Sequence, residues 1–296
     1  MSMPVSSNLR GIALMVLATF VFIVNDTFMK LATDGLPPLQ VLFLRGVAGT
    51  LWCTPLVLFS GHAARLGGLV NQWVLARNFC EVLAVLCFII ALANMPIADV
   101  TALGQVAPML LLIGVSIVYG DKIGVVRMVL IALGFVGALL VAQPGGTSFT
   151  AYAFLGFGSA LFTAARDTVG RKVPAEIPSL IVAYCTLILV MICAGIATLV
   201  FEDWVVPTQR HLLLLAGSGF FLTLGHLFIF MAYRAGATSA VAPFMYMFTV
   251  WAVISGMVVF QTLPNSLALA GIALILASGV AVALLDERKR RLLVTA

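Results

Sequence analysis

Long, unbroken apolar runs separated by short polar joints make up almost the whole chain. Punctuation by Pro, Gly and charge divides them into ten segments: 9–31, 38–60, 70–93, 98–119, 124–143, 151–172, 178–200, 210–233, 238–260 and 265–285. Each approaches the roughly 20 apolar residues that a helix needs to cross a bilayer. The runs are continuous rather than alternating over ~10 residues, which argues against a membrane barrel. Hydrocarbon offers no partner to backbone groups, so each run has to pair its own amides, as a helix does. The pattern predicts an all-α integral membrane protein of ten transmembrane helices, with joints too short for a soluble domain. The first run passes from Arg10 into Asn25 and Asp26 without a small-residue cleavage site, and reads as a retained helix rather than a signal peptide.

Composition agrees. Of 296 residues, 62% are hydrophobic and 9% charged, against about 25% charged in soluble domains. The basic residues then set a direction. With the N-terminus in the cytoplasm, Arg10, Arg65, Arg77, Lys122, Arg127, Arg166, Arg171, Lys172, Arg234, Arg288, Lys289, Arg290 and Arg291 lie on or near the inner side. Lys30 and Arg210 lie on the other side, and Arg45 falls inside the second run. The expectation is a multi-pass protein of the cytoplasmic (inner) membrane with both termini in the cytoplasm. This topology explains the net charge of +5, and no nucleic-acid partner is implied. Cys53, Cys80, Cys87, Cys185 and Cys193 form no CxxC pair and have no His at metal spacing. They read as small apolar core residues, and no metal or cofactor is expected.

The chain also repeats itself. "NDTFMKLATDGLPPL" from Asn25 matches "RDTVGRKVPAEIPSL" from Arg166 at an offset of 141, the distance from Asp26 to Asp167. The same offset carries Lys30 onto Arg171, Pro37 onto Pro178, Ala91 onto Ala232 and Tyr119 onto Phe260. Two halves follow, 1–146 and 147–296, with five helices each. Five is odd, so the second half enters the membrane inverted, an arrangement of secondary transporters whose substrate sits between the halves. Asp26 and Asp167 therefore lie near opposite ends of their helices, each with a base four residues on. They are either local pairs, Asp26 with Lys30 and Asp167 with Arg171, or members of opposing gates that include Asn25.

At these residues the chain resembles the drug/metabolite transporter superfamily, EamA-type. "NDTFMK" followed by "PPLQVLFLR" is similar to that family's first two helices, with Asn25, Lys30 and Arg45 in matching places. "ALANMPIADVTALGQVAPMLLLIGVSIVYGDK", "GFVGALLVAQPGG" and "AYRAGATSAVAPFMYMFTVWAVISGMVVFQTLP" continue the likeness through the end of helix three, helices four and five, and the ninth-helix pattern. The family often has Trp-Gly where this chain has Phe22-Ile23, and a Glu before the proline that opens helix ten, where this chain has Gln261-Thr262-Leu263-Pro264. Within the superfamily, the likeness is to YddG-type exporters of aromatic and other amino acids. It implies an inverted ten-helix fold and export of amino acids or related metabolites.

Ionisable groups within a membrane are expensive and mark function. Glu81 lies about ten residues into the third run, ~15 Å deep at 1.5 Å per residue, with Asn78 on the same face. The repeat maps Glu81 onto Leu222, one turn before His226, so both are expected at a central cavity. The alternative for each is a bond to a neighbouring helix. Arg45 is either a packing partner for Asp26 or Glu81, or a holder of a substrate carboxylate. Gln105 and Tyr246 are repeat equivalents, and Tyr246, Phe244 and Trp251 offer aromatic surface for a cargo, with helix packing as the alternative. Pro108 and Pro243 are expected to bend helices four and nine. Asp99 and Ser239 read as helix caps. Gly134, Gly137, Gly271 and Gly279 suit close helix packing, which leaves a homodimer open.

Three function classes compete. The first is a secondary transporter of amino acids or similar small metabolites working by alternating access. The chain has no GxxxxGK[ST] loop, so the flux would follow a gradient, an exchange partner or protons. The second is an intramembrane enzyme, for which HExxH and GxSxG are missing. The third is the same fold with another cargo. A nucleotide-sugar would ask for more buried base than Arg45, and the small multidrug pumps have four spans.

Overall fold

The computed structural model describes residues 5–61, 67–68, 70–120, 124–143, 151–174, 176–236 and 241–295. The helices are α1 (Val5–Ala32), α2 (Pro38–Phe59), α3 (Gln72–Asn94), α4 (Ile97–Gly104), α5 (Ala107–Tyr119), α6 (Val125–Ala142), α7 (Tyr152–Gly170), α8 (Ser179–Phe201) and α9 (Gln209–Ala235). A 3-10 turn over Ala242–Tyr246 then leads into α10 (Met247–Val258), and α11 (Ser266–Thr295) follows. No strand occurs among the described residues. Among the described residues, six helical stretches are long and apolar enough to cross a membrane, the α4–α5 pair counting as one, and shorter apolar helices accompany them. Phe59, Ile117, Leu199 and Phe201 stand out from the helices, a surface that lipid solvates and water does not. The chain is a multi-pass membrane protein. The boundary at 146, Arg65, Lys122 and Ser239 fall outside the described residues, as do the side chains of Pro243 and of the basic tail from Asp286.

Local chemistry sets several helix ends. The Pro37-Pro38 pair opens α2, where a missing N–H costs nothing. Asn71 caps α3, its side chain accepting from Trp73 N at 2.9 Å and Val74 N at 3.4 Å. Gly120 closes α5 at φ 74°, a left-handed turn that suits glycine. Asp99 does not cap as the sequence suggested. The N-cap of α4 is Pro96, with no side-chain cap bond, and Asp99 Oδ1 is buried without a hydrogen-bond partner. Asp99 sits instead in the first turn, where a carboxylate complements the helix dipole.

The fourth apolar run is broken rather than bent. Pro108 cannot donate to Gly104 and its ring crowds that carbonyl. The chain answers with tight bonds from Gln105 N to Ala102 O and Val106 N to Leu103 O, then restarts as α5. The ninth run changes pitch at the equivalent place, its 3-10 turn ending at Tyr246, 141 residues beyond Gln105.

Contacts divide the chain into two compact units, each drawing on both sequence halves. One holds 1–23, 96–150 and 224–296; the other holds 24–95 and 151–223. In the first, Met15, Ala232 and Val241 form a buried cluster bordered by Leu14, Ile229, Phe244 and Met245. There α6 meets α11 at bare backbone: a Cβ on Gly137 would stand 2.8 Å from Gly271 O. In the second, Val74, Val182 and Cys185 pack together, as do Cys53, Val57 and Ile181.

The second unit also carries a polar latch. Glu202, just past α8, accepts from Leu39 N at 2.9 Å and Gln40 N at 3.0 Å, capping the start of α2. Gln40, fully buried, pairs both ways with the backbone of Val205. Glu202→Ala is expected to lower stability by about 1–2 kcal/mol, the cost of a lost cap. Thermal unfolding in detergent measures it, and Glu202→Gln should recover part of the loss because one acceptor oxygen remains.

Candidate functional site

A polar cluster occupies the interior of the second unit, and six helices supply it. From α3, Glu81 Oε2 meets Arg166 Nη1 of α7 at 2.6 Å. Arg166 Nε donates to Asp167 Oδ1 at 2.7 Å. One turn before Glu81, the fully buried Asn78 accepts at Oδ1 from Arg77 Nη1 (2.7 Å) and from Thr186 Oγ1 of α8 (2.8 Å). From α1, Asn25 Nδ2 donates to Asp26 Oδ1 at 2.8 Å, and Ser218 of α9 donates to Asn25 Oδ1 at 2.7 Å. Arg45 of α2 is buried within Coulombic reach of Asp26 and Glu81. Arg77 lies within reach of Glu81 and Asp167. Three carboxylates, Asp26, Glu81 and Asp167, thus stand among three guanidiniums, Arg45, Arg77 and Arg166. Compensation of this kind is what allows charges to persist away from water.

The cluster is built twice. At the repeat offset, Asn25-Asp26 corresponds to Arg166-Asp167, and in both pairs the first side chain donates to the second. Arg45 corresponds to Thr186 and Ser218 to Arg77. Glu81, by contrast, corresponds to the apolar Leu222, so it has no duplicate. It bonds Arg166 of the α7 pair and lies within Coulombic reach of Arg45, as Asp26 of the α1 pair does.

Lys30 reaches across to the end of α3, donating to Leu92 O at 2.5 Å and Met95 O at 2.7 Å. Those carbonyls lack helical partners, and a cation there suits the negative end of the dipole. Arg171 sits exposed at the C-cap of α7. Of the sequence-nominated residues, Asn25, Asp26, Lys30, Arg45, Asn78, Glu81, Asp167 and Arg171 all belong to this unit.

Gln105, His226, Phe244, Tyr246 and Trp251 belong to the first unit. His226 meets the Phe22 ring edge-on at 5.1 Å, and Trp251 meets Phe20 at 5.4 Å. The Trp251 Nε1 donor is buried without a hydrogen-bond partner. Tyr246 packs its ring against Gly279 of α11. Gln105 makes a long 3.5 Å contact to Met245 O. Phe244 borders the Met15 cluster as a packing residue.

Sequence reading missed Arg166, Arg77, Thr186 and Ser218 as parts of the cluster. In the sequence pattern Arg166 and Arg77 stand out only as inner-side bases. The repeat held a signal for Arg166, which stands where the first half has Asn25. Nothing in helical spacing says which residue of another helix a side chain will meet.

The chain matches the EamA-like transporter family over residues 9–143 and again over 150–284. It is 29% identical to the pseudopaline exporter of Pseudomonas aeruginosa, over 92% of this chain and 95% of that protein. It is 27% identical to a riboflavin transporter of Vibrio cholerae, over 96% of each, and 22% identical to an S-adenosylmethionine uptake transporter of Rickettsia prowazekii, over 90% of each. One solved crystal structure superposes with a TM-score of 0.61 at 17% identity, covering 96% of this chain and 98% of the other; this likeness bears on the fold alone. With two tandem matches spanning nearly its whole length, the chain belongs to the EamA-like transporter family, within the drug/metabolite transporter superfamily.

Proposed function

We propose that this protein is a secondary transporter that exports amino acids, aromatic ones among them, or related small metabolites. It works by alternating access, with ten spans arranged as two inverted sets of five, in the inner membrane and with both termini in the cytoplasm. The observation that supports this most is the charge-balanced cluster around Glu81 and Arg166 inside a membrane-embedded unit. Neighbouring charges of both signs match a zwitterion, whose ammonium and carboxylate each need a partner once water is left behind. The doubled Asn25-Asp26 and Arg166-Asp167 pairs are the corresponding gates, one for each half. Family membership supports a transporter over an enzyme.

Cargo and direction differ among the named relatives, which include an exporter, an uptake transporter and riboflavin transporters. The second reading is therefore the same fold with a different metabolite. Purified protein in liposomes, screened for uptake and counterflow of radiolabelled amino acids, decides between the two. Saturable counterflow of at least one amino acid is expected. A folded preparation that moves riboflavin and no amino acid would replace the first reading with the second.

A further inference from the structure

We infer that Arg45 and Asn78 form a carboxylate-binding site within the polar cluster; that the carboxylate is the cargo's rests on the transporter reading above. Arg45 is 7% exposed, and its Nε is enclosed with no hydrogen-bond partner in the protein. Two carboxylates lie within Coulombic reach, but each already has a partner. Asp26 Oδ1 takes the Asn25 amide at 2.8 Å, and Glu81 Oε2 takes Arg166 at 2.6 Å. Asn78 shows the same deficit. Its Oδ1 accepts from both Arg77 and Thr186, while its Nδ2 is enclosed without an acceptor.

Both deficits are donors lacking acceptors, and both lie in the surroundings of Glu81: Asn78 one helical turn before it, Arg45 within Coulombic reach of it. Enclosed polar atoms without partners are rare in native proteins and costly to leave unmade. A carboxylate is acceptor-only and fits the edge of a guanidinium with an amide beside it. A cation or a further donor finds nothing at either atom. Charge narrows the class further. Arg45, Arg77 and Arg166 already balance Asp26, Glu81 and Asp167, so a bare anion would upset the balance. An amino acid brings its own ammonium and leaves it intact.

The test uses the full-length protein, in detergent for ligand-induced thermal stabilisation and in liposomes for counterflow. The probes are the twenty amino acids, acetate, and the α-amide of whichever amino acid stabilises most. The amide is expected to bind at least tenfold more weakly than the acid. Arg45→Gln should abolish that preference, and Arg45→Lys should keep part of it, since Lys retains the charge without the planar fork. Equal binding of acid and amide to the unaltered protein would overturn the inference even if Arg45→Gln fails to fold. So would a folded Arg45→Gln that keeps the preference, or the absence of any Arg45-dependent shift with every carboxylate tried, in which case Arg45 and Asn78 hold water only. Flux of some cargo alongside such a failure leaves the transporter reading standing. An Arg45-dependent carboxylate shift without flux of any cargo keeps the site and removes the transporter reading.

Discussion

Arg166→Met is expected to lose about 2–3 kcal/mol of stability and at least tenfold in transport, and Glu81→Leu should do the same. Breaking a buried ion pair from one side costs 3–5 kcal/mol because the survivor stays charged and unpaired. The Glu81 and Arg166 side chains are 17% and 22% exposed, so partial solvation trims that figure. The double variant Glu81→Leu with Arg166→Met separates structure from transport. Apolar side chains of similar volume often replace an ion pair without loss, so the double variant should regain at least half of the stability. It should not regain transport, because Glu81 is the one carboxylate of the cluster with no repeat equivalent, position 222 being Leu. Thermal unfolding and counterflow are measured on the same preparations. A stable double variant that transports normally would reduce the pair to packing, and a single variant with unchanged stability would show that the pair contributes nothing.

Gly271→Leu is expected to be comparably damaging through sterics alone. A Cβ on Gly271 would stand 2.5 Å from Gly137 O and 3.0 Å from Leu140 Cβ, and backbone cannot move aside as a flexible side chain can. Overpacking a tight core costs about 1–3 kcal/mol, sometimes more, and in lipid close helix packing is itself a main source of association. Gly137→Leu should show the same loss. Gly104→Ala is the control: nothing lies within 4 Å of a Cβ there, so the change should be neutral or slightly stabilising through helix propensity. The readout is the unfolding midpoint in detergent. Equal tolerance at Gly271 and Gly104 would mean that α6 and α11 do not touch through backbone.

Much of the secondary structure was legible because apolar runs and prolines act locally. The bounds of α2, α3, α8 and α9 lie within a few residues of the runs read from sequence. Pro108 was expected to bend its helix and instead divides it into α4 and α5. The cap assigned to Asp99 failed because Pro96 took the N-cap position, leaving the carboxylate inside the first turn. Of the site, Asn25, Asp26, Arg45, Asn78 and Glu81 were nominated from their depth in apolar runs, and they do share one unit. Their bonds were not legible. Asn25 Nδ2 donates to Asp26 Oδ1, and Lys30 spans to carbonyls 62 and 65 residues away.

Composition and periodicity by themselves determined a helical membrane protein made of two related halves, because solvation by lipid and the repeat are written in every run of the chain. Only the tertiary structure decided that Glu81 meets Arg166 and that Gly137 packs on Gly271 within one molecule. Partner choice across helices depends on their rotation and register, which arise from the packing of all of them together and leave no mark on the spacing of any one.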